Sequence, residues 1–138
     1  SYGEEGERKI EITGEDAGVL IGHHGETLDA LQYIANLAAN RRAPVEEDGT
    51  KKQHIKVIID VENYRKKREE TLRALARRMA ARVLKYKRSI TLEPMNPYER
   101  RIIHSEIQGI DGVSTHSIGV DSDRKIVITL DRGDKPAV

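Results

Sequence analysis

Residues 20–25 read Leu20-Ile21-Gly22-His23-His24-Gly25, two histidines bracketed by glycines between two helix-like segments. This run constrains the fold most. Glycine lets a backbone turn sharply and lets another chain pass close, because no Cβ stands in the way. Its surroundings narrow the choice further. Lys9-Ile10-Glu11-Ile12 alternates and predicts a strand over 9–13. Asp16 to Ile21 is apolar-rich and predicts a short helix over 15–21. After the loop, Leu28, Leu31, Ile34, Ala35 and Ala38 recur at i, i+3, i+4, i+7 spacing, which predicts a helix over 26–42 with one buried face. Taken alone, the two glycines also fit an ordinary turn between helices.

Residues 43–52 combine Pro44, Gly49 and mixed charges without periodicity and read as an exposed loop. Ile55, Val57 and Ile59 alternate within a strand over 53–60. A long helix follows over 62–88. At about 100° per residue, Leu72, Leu75, Ala76, Met79, Val83 and Tyr86 gather on one arc. Ser89 to Glu93 reads as a strand. Asn96-Pro97-Tyr98-Glu99 carries three helix-start cues: Asn as N-cap, Pro at the first helical position and Glu at the third. That helix runs to Gln108, where Gly109 stops it. Two strands over 113–120 and 124–131 flank a turn at Asp121-Ser122-Asp123.

The chain has 138 residues, of which 34% are charged, so any core is small. It contains no cysteine, which excludes disulfides and thiolate metal sites. No apolar run approaches the ~20 residues needed to span a bilayer, so no direct membrane contact is expected. No signal-peptide pattern is present, and a cytoplasmic location is expected. The net charge of +1 hides an asymmetry: 7 Lys and Arg stand against 12 Asp and Glu over residues 1–60, 11 against 3 over 61–88, and 6 against 8 over 89–138. On the long helix Lys66, Lys67, Arg73, Arg77, Arg78, Lys85 and Arg88 oppose the apolar arc without a matching acidic set. Arg73 and Arg77 are therefore candidates for phosphate contact; the plainer alternative is a solvated helix face.

Arg100 and His104 lie four apart and share a face of their helix, while Ile102, Ile103 and Ile107 point toward a sheet. Both polar residues are expected to be partly exposed, and Arg100→Ala is expected to cost little stability. Arg offers a planar fork to phosphate, and His offers a donor that also stacks on a base. A surface pair without a role, or a His bonded into the structure, is the alternative.

The pieces in order resemble a family. The Gly22–Gly25 loop, set between strand and helix, resembles the loop by which KH domains clamp a single-stranded backbone. Arg100 and His104 resemble the signature of R-three-H domains, which bind single-stranded nucleic acid. The runs LIGHHGETLDALQ (20–32), EETLRALA (69–76) and LEPMNPYERRIIH (92–104) resemble segments of the bacterial Jag family. The resemblance covers about residues 9–131 and implies an α+β chain: a bacterial-type KH domain over 1–62, joined by a long basic helix to an R-three-H domain over 63–138 with a three-stranded sheet. It implies single-stranded RNA as ligand, with single-stranded DNA as the competing strand. It also implies a post-transcriptional role in cell elongation, division or sporulation, and a small single-KH protein or a second copy as partner.

Two departures qualify what carries over. The family's N-terminal Jag domain and the leading helix and strand of its KH unit are missing, so the chain reads as a trimmed piece with an open sheet edge that invites pairing. The loop holds His23 and His24 where KH loops commonly hold Lys or Arg. Histidine changes charge between pH 5 and 8, so grip on phosphate is expected to rest more on backbone N–H groups and the first turn of the following helix. RNA binding is expected to strengthen from about pH 8 toward 6 through His23, His24 and His104. The RNA-binding set is thus Gly22, His23, His24, Gly25, Arg73, Arg77, Arg100 and His104. No metal, cofactor or catalytic residue is expected. A zinc site among the five histidines has no ligand spacing behind it. Cleavage by His104 and His116 with Arg100 lacks a nucleophile or carboxylate pair. A protein-interaction module with incidental RNA binding is the rival reading.

Overall fold

The computed structural model describes residues 6–41 and 54–131; the loop expected over 43–52 lies outside them. The backbone divides into two compact units, Ser1–Arg68 and Glu69–Val138.

In the first unit, strands β1 (Glu7–Ile12) and β2 (Lys56–Val61) pair in parallel, with Glu7 opposite Lys56 and Ile12 opposite Val61. A parallel pair needs a crossover between its strands, and helix α1 (Glu26–Asn40) supplies it. Ala17, Leu28, Val57, Ile59 and Val61 form the core, with Ile12, Leu20, Leu31 and Ala35 packed against it. The helix expected over 15–21 is a single 3-10 turn, Ala17–Leu20. Gly14, Gly18 and Gly22 leave too short a stretch to offset the cost of nucleating an α-helix.

The face that α1 turns inward differs from the expected apolar stripe. Leu28 is buried and Leu31 and Ala35 are half-buried, whereas Ile34 and Ala38 are exposed. Instead, Gln32, Asn36 and Asn40 face β2. Asn36 accepts from Val57 N–H and donates to Val57 C=O, both at 2.7 Å. Asn40 does the same with Ile55, both at 2.7 Å, and Gln32 accepts from Ile59 N–H at 2.9 Å. Four helical residues rise about 6 Å and two strand residues about 6.6 Å, so amides at every fourth helical position meet alternate strand residues. This stripe covers the edge of β2 that faces away from β1. Arg65 locks the corner by donating to Ile59 C=O, Asp29 and Gln32.

Helix α2 (Tyr64–Tyr86) begins in the first unit and carries its buried residues in the second. There, β3 (Ile90–Thr91), β4 (Val113–Ile118) and β5 (Lys125–Leu130) form an antiparallel sheet in the order β3-β5-β4. Helix α3 (Pro97–Gln108) begins as expected: the Asn96 side chain accepts from Glu99 N–H at 2.8 Å and Pro97 opens the first turn. Leu72, Ala76, Ala80 and Val83 of α2 and Ile102, Ile103 and Ile107 of α3 pack on Ile126 and Ile128 of the sheet. Ala80 joins the buried arc, while Tyr86, expected on it, is 58% exposed. No described helix is long and apolar enough to cross a membrane.

Candidate nucleic-acid interface

The Gly22–Gly25 loop has a defined backbone. Gly22, His24 and Gly25 take φ of +72°, +52° and +84°. His24 is left-handed, at φ +52° and ψ +31°, and left-handed residues in such loops can turn backbone N–H groups toward an anion. The imidazoles of His23 and His24 lie 3.8 Å apart between centroids, tilted by 32°. The glycines are required by the protein's own packing. A Cβ on Gly22 would collide with the Thr27 side chain, and one on Gly25 would stand 2.8 Å from Cε1 of Tyr64. The first turn of α1 is also engaged internally. Glu26 N–H donates to His23 C=O, and Thr27 and Leu28 N–H donate to Ile21 C=O at 3.1 and 3.2 Å. The expectation that this turn grips phosphate through those donors is corrected, since all three are engaged within the chain.

Arg100 and His104 lie in the second unit, both half-buried on α3. Arg100 Nη1 donates to Met95 C=O at 2.7 Å, so the guanidinium also braces the loop leading into its helix. His104 is bonded at both ring nitrogens: Nδ1 to Thr115 Oγ1 at 2.6 Å and Nε2 to Ser117 Oγ at 3.2 Å. Thr115 and Ser117 alternate onto the face of β4 that α3 covers. Burial, then the positive charges of Arg100 and His116, hold the His104 pKa below its ordinary value. The neutral ring is thereby favoured at neutral pH. Sequence reading did not single out Thr115 or Ser117. The period-two pattern Val113-Thr115-Ser117 was the available signal.

Arg73 and Arg77 do have an acidic counterpart, contrary to expectation. Glu106 of α3 accepts from Arg73 at 3.0 Å and from Arg77 at 2.6 Å, and Glu69 also accepts from Arg73 at 3.0 Å. The bonds from Arg77 and Arg73 hold the Glu106 carboxyl below the ordinary carboxylate range. These pairs staple α2 to α3, and phosphate must compete with Glu106 for both guanidinia.

Comparison with known proteins matches both domains. Residues 2–47 match the KH domain of KhpA/KhpB, and residues 70–130 match the R-three-H domain. The chain is 44% identical to "RNA-binding protein KhpB" of Clostridium symbiosum over 128 residues, covering 93% of this chain and 54% of the relative. It is 44% identical to the protein of that name from Bacillus subtilis (strain 168) over 126 residues, covering 90% and 57%. Against that of Streptococcus pneumoniae serotype 2 (strain D39 / NCTC 7466) it is 36% identical over 120 residues, covering 86% and 34%. The chain thus spans about half the length of the first two curated relatives and a third of the last. A glycine loop before α1, an Arg and a His four apart on α3, and matches to both domains in that order place the chain in the KhpB (Jag) family, with its KH domain at 2–47 and its R-three-H domain at 70–130.

Proposed function

We propose that this chain binds single-stranded RNA with weak sequence preference. The observation that carries this reading is the Gly22–Gly25 loop, in which Gly22, His24 and Gly25 take positive φ beside two imidazoles, a backbone form that suits an anion. Arg100, His104 and the hydroxyls of Thr115 and Ser117 add a second polar surface on the R-three-H domain. Few aromatic side chains are available to read bases: the chain has 5 Tyr and neither Phe nor Trp. The relatives bear the name RNA-binding protein KhpB, which supports RNA over DNA. In the cell this reading gives a cytoplasmic, post-transcriptional regulator tied to elongation, division or sporulation. The test is ultraviolet crosslinking to single-stranded RNA with mapping of the crosslinked residues, paired with His23→Asp/His24→Asp. The double variant is expected to fold and bind weakly. Unchanged affinity removes the loop from the site.

One observation favours an added protein-interaction role. The solvent face of α1 is apolar: Tyr33, Ile34 and Leu37 are 66%, 61% and 56% exposed, beside a groove that Asn40, Arg41 and His54 also line. Exposed apolar groups so concentrated mark interaction surfaces. A small single-KH protein or a second copy fits this face in our reading. Leu37→Lys is expected to abolish such an association, measured by light scattering, and to leave RNA affinity in place.

A further inference from the structure

We infer that the outward face of α2's second half is a separate, sequence-independent anchoring track for single-stranded RNA, formed by Arg78, Arg82 and Lys85 with Tyr86 as a stacking platform. The inference rests on the RNA-binding reading and adds a site to it. Residues 71–92 contain no Asp or Glu. Of the cations in that stretch, Arg73 and Arg77 are held by Glu106. Arg78, Arg82 and Lys85 are exposed and have no hydrogen-bond or ion-pair partner among the described residues. At about 100° per residue the three fall within roughly 60° of one another, on an arc turned away from Leu72, Ala76 and Val83. Arg78 and Arg82 are one turn apart, about 6 Å along the axis, and like charges at that spacing repel.

Helix electrostatics explains only part of this cluster. Cations near a C-terminus offset the macrodipole, but the effect falls off within the last turn. Lys85 lies in that turn, whereas Arg78 and Arg82 do not. A row of unneutralised, mutually repelling guanidinia is what a polyanion relieves on binding. The aromatic neighbour selects the polyanion. Tyr86 is 58% exposed, and Lys85 Nζ stands 5.3 Å from its ring centroid. A base stacks on such a ring whatever its identity. An acidic protein surface would use the cations and leave the ring idle.

The test is the salt dependence of binding of a uridine homopolymer RNA to the full chain, from about 50 to about 200 mM salt. Each lost phosphate contact flattens the log–log slope by about 0.7 for a single strand. Arg78→Gln/Arg82→Gln/Lys85→Gln is therefore expected to flatten it by about 2 units. Thr91→Glu/Ser114→Glu/Ser122→Glu removes the same net charge at exposed positions off this face and is expected to change the slope by less than half as much. Tyr86→Ala is expected to weaken binding about fivefold or more at fixed salt and to leave the slope unchanged. Circular dichroism checks that each variant is folded, and single substitutions at Arg78 and Arg82 replace the triple variant if it is not. A parent that binds RNA and cation variants that keep the full slope overturn this track alone. A charge-matched control that flattens the slope equally overturns it too. A parent that binds no RNA overturns the RNA reading and the track together.

Discussion

His104 is the histidine of the R-three-H pair and is a structural residue. Both of its ring nitrogens are occupied by β4 hydroxyls, and burial with nearby positive charge lowers its pKa. The unfolded chain takes up this proton near pH ~6.5, the folded chain only at lower pH. The stability this group contributes is complete above about pH 6.5 and is lost as pH falls through the lowered value. His104→Gln is therefore expected to lose less stability than the parent between about pH 7.5 and about pH 5, read from urea midpoints. Equal losses would assign the acid sensitivity to other groups. The same shift argues against His104 as a source of tighter RNA binding between pH 8 and 6. Arg100 is also more than a surface cation. Through its bond to Met95 C=O, Arg100→Ala is expected to cost about 1 kcal/mol on chemical denaturation, more than a free helical Arg. A midpoint identical to the parent's would show that the bond adds nothing to stability.

At the scale of elements, two features hold the KH unit together. The first is the contact of Gly22 with Thr27. Gly22→Ala adds a Cβ against the Thr27 side chain at a positive φ and is expected to destabilise by about 1–3 kcal/mol. Gly22→Ala/Thr27→Ala should recover part of that loss, since the side chain yields while the backbone strain persists. A fully additive double-mutant cycle would mean that the two residues do not clash. The second feature is the amide stripe. Asn36→Ala leaves Val57 N–H and C=O without their side-chain partner, which costs about 1–3 kcal/mol. It also opens a strand edge to other chains. Denaturation midpoints and sedimentation measure the two effects, and an equally stable, monodisperse variant would contradict both.

The whole molecule combines two cores of unequal size. Among the described residues the KH unit buries five apolar side chains in its cluster, whereas the R-three-H unit buries twelve. Burial scales with stabilisation, so the KH unit is expected to open at lower free energy. Native-state hydrogen exchange should show β2 amides exchanging before those of Ile126 to Ile128. Uniform protection across both units would show a single cooperative structure. The KH unit is also the one that exposes the Tyr33–Leu37 face, and a ligand bound there would stabilise the folded unit.

What the sequence determined by itself was local. The Asn96-Pro97-Glu99 helix start, the glycine pattern of the Gly22–Gly25 loop and the period of each strand are written within a turn or two of chain. The helix start and the strand periods need no distant partner, whereas Gly25 also answers to Tyr64. Tertiary packing decided the rest. Asn36 and Asn40 read as ordinary polar positions until β2 lies beside them. Arg73 and Arg77 read as free cations until α3 brings Glu106 against them from 33 and 29 residues away. His104 reads as a surface donor until β4 presents Thr115 and Ser117. In each case the partner lies on another element, so a local pattern shows which face a residue takes and not which group it meets there. Only the packing of helix on sheet brings the two groups within hydrogen-bond distance.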